Sequence, residues 1–432
     1  MILSGVGTKM ASPSGLRSIM EDIATTTAAA APGERFLNLG IGNPAYIPEV
    51  AETWRRLTAA ALATDFGEAS CRYGPSRGSR ELVGAVVRYL GEHLGWDIGP
   101  RNVVVGPGSQ MLCFIAAAMF TGAGAPRPAG LVLPMSPDYT GYQGLTLAAG
   151  QVTGVEAALR RGTDRSFTYE FDFDALRRRT DLGLLMLSTP SNPTGRSLTA
   201  AELDQLIDVA ASRDVPLLVD NAYGEPFPGI GEDALPPRRH DNVINCFTLS
   251  KAGLPGERIG FAVGPERYIA PMVSFLANSA LHAPQLMQAA VAVALSSGAM
   301  DELVSTAIRP FYAQRRKVVE KMLFGKLPAG IDWRLHAGQG GMFCWLWIDQ
   351  PWFDDLVFYE ALKREGVFVV PGRHFFTDPT GAGGFGRHAR QCFRLSISAD
   401  LAALSDGIGR IARVLDEMSH GGPAPARTRE TV

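Results

Sequence analysis

Lysine is scarce. Only six occur, at 9, 251, 317, 321, 326 and 363, among 41 basic residues, the rest being arginine. That bias reflects coding composition, but it makes each lysine worth inspecting. Net charge is almost absent: 43 acidic residues leave the chain at −2. No basic field exists to hold a nucleic-acid backbone, so nucleic acid is set aside as a partner. Cysteine is sparse too. The five, at 71, 113, 246, 344 and 392, are odd in number and scattered, with no C-x-x-C. A disulfide framework or a metal site is therefore not expected, and a reducing, cytoplasmic location is. The longest apolar run, residues 111–125, is too short to span a bilayer. Met1 to Gly5 lead with no basic segment before an apolar core, so no signal peptide is expected. What is present is an ordinary globular composition, 46% hydrophobic and 19% charged, over 432 residues, more than one core comfortably holds.

The pattern alternates. Helical periodicity is expected at 16–24, 50–63, 78–95, 109–120, 140–148 and 199–213. Short apolar strands are expected at 103–105, 130–133, 184–187, 216–219, 243–246 and 260–263. Continuous apolar strands separated by helices mean a sheet covered on both faces, hence largely parallel. A long helical tract follows at 266–325, with breaks expected near Pro284 and Pro310. Strands at 333–335, 341–348, 367–370 and 391–396, with helices at 353–365 and 400–418, then indicate a smaller α+β unit. Residues 421–432 are Pro-, Ala-, Arg- and Thr-rich, an expected disordered tail.

Four segments at strand ends carry chemistry. In Thr248-Leu249-Ser250-Lys251-Ala252-Gly253, a rare lysine follows a strand among hydroxyls and small residues, with Arg258 seven residues on. A lysine desolvated by such neighbours has a lowered pKa and forms a Schiff base, while hydroxyls and a forked cation suit a phosphate. In Leu217-Leu218-Val219-Asp220-Asn221-Ala222-Tyr223, a carboxylate closes an apolar strand; it serves either as a helix cap or as the partner of a protonated ring nitrogen. In Thr189-Pro190-Ser191-Asn192-Pro193, two prolines fix the backbone around Asn192. In Gly106-Pro107-Gly108-Ser109-Gln110, a glycine turn opens a helix whose first N–H groups suit a phosphate. Together the four supply an amine, a ring-nitrogen partner, a ring-oxygen partner and a phosphate cradle on one edge of the sheet.

With these residues in place, the chain resembles the fold-type I, pyridoxal 5′-phosphate (PLP)-dependent enzymes of the class I/II aminotransferase superfamily. It is most similar to the valine–pyruvate aminotransferases. The closer likeness rests on Gly15-Leu16-Arg17-Ser18-Ile19-Met20-Glu21-Asp22, Gly42-Asn43-Pro44-Ala45, Asp220-Asn221-Ala222-Tyr223-Gly224, Leu249-Ser250-Lys251 and Phe343-Cys344-Trp345-Leu346-Trp347. It spans about residues 5 to 418.

The resemblance implies a fold and a set of roles. Residues 51–300 would form a large PLP-binding domain around a mainly parallel seven-stranded sheet, and 301–420 a small α+β domain joined by an arm at 1–50. Lys251 would hold the cofactor as a Schiff base and move the substrate proton. Asp220 would pair with the pyridine nitrogen, Tyr223 and Asn192 would contact the ring oxygen, and Tyr139 would stack on the ring. Ser109, Gln110, Thr248, Ser250 and Arg258 would hold the phosphate, joined by Tyr73 from the other subunit of a homodimer. Arg394 would clamp the substrate carboxylate, with Gly42 and Asn192 beside it. An amino acid and a keto acid would be the substrates. Two segments depart from the family pattern: Gln339 with Gly340-Gly341, and residues 278–284 with His282. Both fall where the family shapes the substrate side-chain pocket; His282 and His374 are read either as lining the site or, in preference, as hydrogen-bonded structural histidines. The departures keep open a second outcome, a PLP-dependent lyase, replacement or C–C bond-forming enzyme using the same carbanion chemistry. A PLP-fold regulator is set aside, because residues 1–50 have neither the length nor the charge of a DNA-binding domain.

Overall fold

The computed structural model describes residues 2–11, 15–31, 33, 35–122, 129–231, 234–378 and 385–421. Apart from Gly421, the expected tail at 421–432 lies outside them. Seven strands form the central sheet, in the order Val103–Gly106, Gly260–Val263, Val243–Thr248, Leu217–Asp220, Leu182–Ser188, Gly130–Ser136 and Val152–Glu156. Gly260–Val263 runs antiparallel to both neighbours, and every other pairing within the sheet is parallel. The strand interiors explain why. All seven residues of Leu182–Ser188 are buried. Leu184 and Met186 join the core beneath the helices Ser109–Phe120 and Glu266–Ser279, while Leu185 and Leu187 join the core beneath Ala200–Ser212. With alternate side chains buried on opposite faces, no polar face is left for water.

A second sheet has six strands, in the order Val370–Pro371, Cys392–Ser396, Phe343–Ile348, Trp333–His336, Ser166–Glu170 and Ala158–Arg161. The hairpin formed by the last two falls inside the stretch read as the large domain, yet Ser166–Glu170 pairs in parallel with Trp333–His336. The arm also reaches this half of the molecule, because Leu37–Asn38 pairs with Val367–Phe368.

Several expectations need correction. The helix expected at 140–148 is a short turn, Thr140–Gly144, because glycines at 141 and 144 weaken a helix. The long helical tract breaks before Pro284, as expected, and a second time at Gly298 rather than Pro310. Gly298 takes φ +78°, which glycine adopts without a Cβ clash. Pro310 is accommodated by a wide turn, Leu303–Ile308, that leads directly into Arg309–Lys326. The strand expected at 367–370 is two short pieces in different sheets. The strand Val152–Glu156 and the hairpin 158–170 were not anticipated.

Candidate functional site

The parallel strands end on one edge of the sheet, where open α/β sheets form their crevices. There a cavity of about 400 Å³ opens. Asp220 and Thr248 close their strands, and Ser109 begins its helix after Gly106. Ser109, Gln110, Tyr139, Asn192, Asp220, Tyr223, Thr248, Ser250, Lys251, Arg258, Arg394 and Gly42 all line the cavity. Of the residues expected to hold the cofactor or the substrate carboxylate, only Tyr73 lies outside it, 86% exposed.

Lys251 Nζ donates to the Gly42 carbonyl at 2.7 Å. Burial, reinforced by the charge of Arg394 and opposed by Asp220, pulls its pKa down to about 8. Asp220 Oδ2 accepts from the Tyr142 hydroxyl at 2.8 Å, and Oδ1 is buried with no partner. Burial pushes its carboxyl up to about 6, against the Tyr142 hydrogen bond and the charge of Lys251. A buried carboxylate oxygen left unpaired is costly, so this atom calls for a donor.

A cluster suited to an anion lies beside them. Thr248 Oγ1 donates to Ser250 Oγ at 3.0 Å, and Arg258 Nη1 lies 3.4 Å from Ser250 Oγ. Arg258 packs against Gly108, where an added Cβ would lie 2.3 Å from Nη2. Gly108 caps the helix Ser109–Phe120 at φ +83°, so glycine is required there twice over. Arg394 lies across the cavity. Its Nη1 donates to Asn192 Oδ1 at 2.9 Å and its Nη2 to the Gly40 carbonyl at 2.7 Å, while Nε is buried and unpaired. The guanidinium lies 3.9 Å from the Phe343 ring centroid. Burial lowers its pKa to about 10, which still leaves it charged at neutral pH.

Other residues of the site escaped the sequence reading. Tyr142 holds Asp220, and Asp138 holds the floor: it accepts from Ser188 Oγ at 2.6 Å and from the Tyr139 N–H at 2.7 Å, and Ser188 Oγ in turn accepts from the Asn192 N–H. The helix Gly15–Ala28 lends Ile19, Met20, Ile23 and Ala24 to the wall, with Ile41 and Val370. Gln339 lies in a separate small pocket beside Arg309 and Tyr312, and neither His282 nor His374 lines this chain's own cavity. His282 instead meets Tyr73 edge-on at 6.0 Å, and His374 packs under Gly15.

A family model described as aminotransferase class I and II matches residues 34–411. The chain belongs to this family. It is 31% identical to the valine–pyruvate aminotransferase of Escherichia coli K12, over 96% of this chain and 98% of that one. Among solved structures, a putative amino-acid aminotransferase from Psychrobacter arcticum superposes with a TM-score of 0.89 at 30% identity, covering 97% and 99% of the two chains. Valine–pyruvate aminotransferase from Salmonella typhimurium gives 0.84 at 28% identity, covering 94% and 100%. The fold is that of the fold-type I aminotransferases, and the protein is a transferase. Among the described residues no single helix is long and apolar enough to cross a membrane, no cluster of potential metal ligands occurs, and all five cysteines are unpaired.

Proposed function

We propose that this aminotransferase moves the amino group of an apolar α-amino acid to a keto acid, the valine–pyruvate type of reaction, with PLP seated in the cavity. The observation that carries the proposal is the pairing of Lys251 with the unpartnered, buried Oδ1 of Asp220 on the walls of one cavity. A protonated pyridine nitrogen supplies the donor that Oδ1 lacks. Ser109, Gln110, Thr248, Ser250 and Arg258 supply hydroxyl, amide and guanidinium donors for the phosphate, so the residues present fit the group. When bound, PLP supplies the electron sink that stabilises negative charge at the substrate Cα.

The chain's own groups do the rest. Lys251, buried and pulled toward neutrality, accepts the Cα proton at Nζ and returns it. Asp220 keeps a negative charge beside the ring nitrogen. Tyr223 and Asn192 would donate to the ring oxygen, and Tyr139 would cover one ring face. Arg394 grips the α-carboxylate and so orients the Cα–H bond. Among the described lining residues, the cations are Lys251, Arg258 and Arg394, each with a role already. The rest of the wall sets an apolar stretch of Ile19, Met20, Ile23, Ala24, Ile41 and Val370 beside the neutral Asn38 and Asn43, and with no spare cation it favours an apolar side chain over a second carboxylate. The lyase alternative drew its support from Gln339 and residues 278–284; Gln339 lies in a separate pocket, and His282 stands beside Tyr73 rather than in its own chain's cavity.

A panel of α-amino acids with a keto-acid acceptor, run on the wild type and Arg394→Lys, tests this reading. Apolar amino acids should yield their keto acids, with dicarboxylic ones poor. Arg394→Lys keeps the charge but loses the fork, so kcat/KM should fall by about one to two powers of ten, the scale of a lost charge-assisted hydrogen bond. Unchanged kinetics in Arg394→Lys would place the carboxylate clamp elsewhere.

The reading extends to a homodimer in the cytoplasm. Tyr73 stands exposed outside its own cavity, and Phe66 and Leu281 are exposed apolar side chains at 53% and 52%. A second copy would cover them and receive Tyr73 at its phosphate. Sedimentation should show a dimer, and a fully active monomer would refute the arrangement.

A further inference from the structure

The helix Gly15–Ala28 supplies much of the apolar wall, so whatever fixes that helix also fixes how the site reads a side chain. Ile19, Met20, Ile23 and Ala24, spaced i, i+1, i+4 and i+5, share one face and line the cavity. Asp22 leaves the helix on another side. Its Oδ2 accepts from the Tyr359 hydroxyl at 2.6 Å, and both its oxygens lie 3.1 Å from Lys363 Nζ. Tyr359 and Lys363 stand one turn apart on the helix Asp355–Arg364, so they form a matched pair of donors for a single carboxylate. Ile19 packs beside this contact, buried with Tyr359 and Phe368.

We infer that Asp22 is a positioning residue: by latching the helix Gly15–Ala28 onto Tyr359 and Lys363 it holds the apolar wall in place and sets the preference for larger apolar side chains. Lys363 is one of six lysines in the chain, and the latch accounts for its place. The wall and the carboxylate clamp then belong to one body. Val370 lines the cavity and pairs with Arg394 in the second sheet, and Phe368, two residues earlier, packs on Ile19. The α-carboxylate and the side chain of a substrate would be read by parts that keep a fixed spacing. The inference rests on the transamination reading for its substrates, but the latch itself is a property of the chain.

Two measurements test it. In steady-state kinetics, Asp22→Asn should raise KM for leucine about three- to tenfold, the scale of a weakened side-chain hydrogen bond. KM for alanine, which presents a single side-chain carbon to the wall, should stay within about twofold, and kcat for both should hold. Asp22→Glu should recover part of the leucine KM, and Tyr359→Phe, a milder change, should reproduce part of the loss. Equal changes for leucine and alanine, or none, would overturn the inference. The second measurement is hydrogen exchange on the protein without substrate. Amides of 15–28 should exchange faster in Asp22→Asn, while those of 109–120 keep the wild-type rate. Unchanged exchange at 15–28 would overturn the latch. If the wild type turned over no apolar amino acid, the apolar-substrate reading would fall, and the exchange result would still decide the latch.

Discussion

Lys251→Ala abolishes turnover and leaves a protein that binds PLP without the absorbance of a lysine-linked cofactor. Loss of the proton-transferring amine alone removes about 10²–10⁴-fold in rate; loss of the covalent attachment removes more. The environment of Lys251 also predicts a pH dependence. Burial lowers its pKa to about 8, so at pH 7 about one molecule in ten carries the neutral amine. The rate at which the apoprotein takes up PLP covalently should rise with pH and level off above about 8. A lysine with the ordinary value near 10.5 would give a rate still climbing steeply at pH 9. An active Lys251→Ala protein with unchanged absorbance would contradict the assignment of the amine.

Asp220→Asn separates function from structure. Its carboxylate is buried and its pKa is raised to about 6, above its unfolded value, so the ionised form is less favourable in the folded state than in the unfolded one. The sign follows: above pH 6 this carboxylate lowers the stability of the apoprotein, and the burden is lifted as pH falls through 6. At pH 7.5, then, Asp220→Asn should hold or raise the melting temperature of the apoprotein. Activity should nevertheless fall by about two powers of ten, since the negative charge that keeps the ring nitrogen protonated is gone. Asp220→Glu, which keeps the charge, should recover part of the rate. If the melting temperature and activity fall together in Asp220→Asn, Asp220 serves the fold through its bond to Tyr142 and not the chemistry.

The site residues most legible in the sequence are those whose position follows from strand periodicity. An apolar run ending in Asp220, and another ending at Thr248 with a rare lysine three residues on, announce the edge of a parallel sheet before any coordinates. What stayed hidden depends on tertiary contact. Tyr142 lies in a turn that reads as helix, and only folding brings it to Asp220. The helix Gly15–Ala28 is legible as amphipathic, but its apolar positions look like core. In the structure Met20 is 62% exposed at the cavity wall. The first strand of the hairpin 158–170 is hidden because Arg160, Arg161, Asp164 and Arg165 crowd it and the turn. Its second strand is open to reading, since Phe167, Tyr169 and Phe171 alternate with Ser166, Thr168 and Glu170. The two departing segments depend on tertiary contact as well: Gln339 sits in a small pocket of its own, and His282 meets Tyr73 rather than its own chain's cavity.

The most direct test follows the nitrogen. An apolar α-amino acid carrying isotopically labelled nitrogen is incubated with the PLP-loaded protein and pyruvate, and the products are read by mass spectrometry. The label should appear in alanine, one nitrogen for each keto acid formed from the donor, and should be absent when Lys251 is replaced. Label that stays in the donor, with no labelled alanine formed, would contradict amino-group transfer to pyruvate.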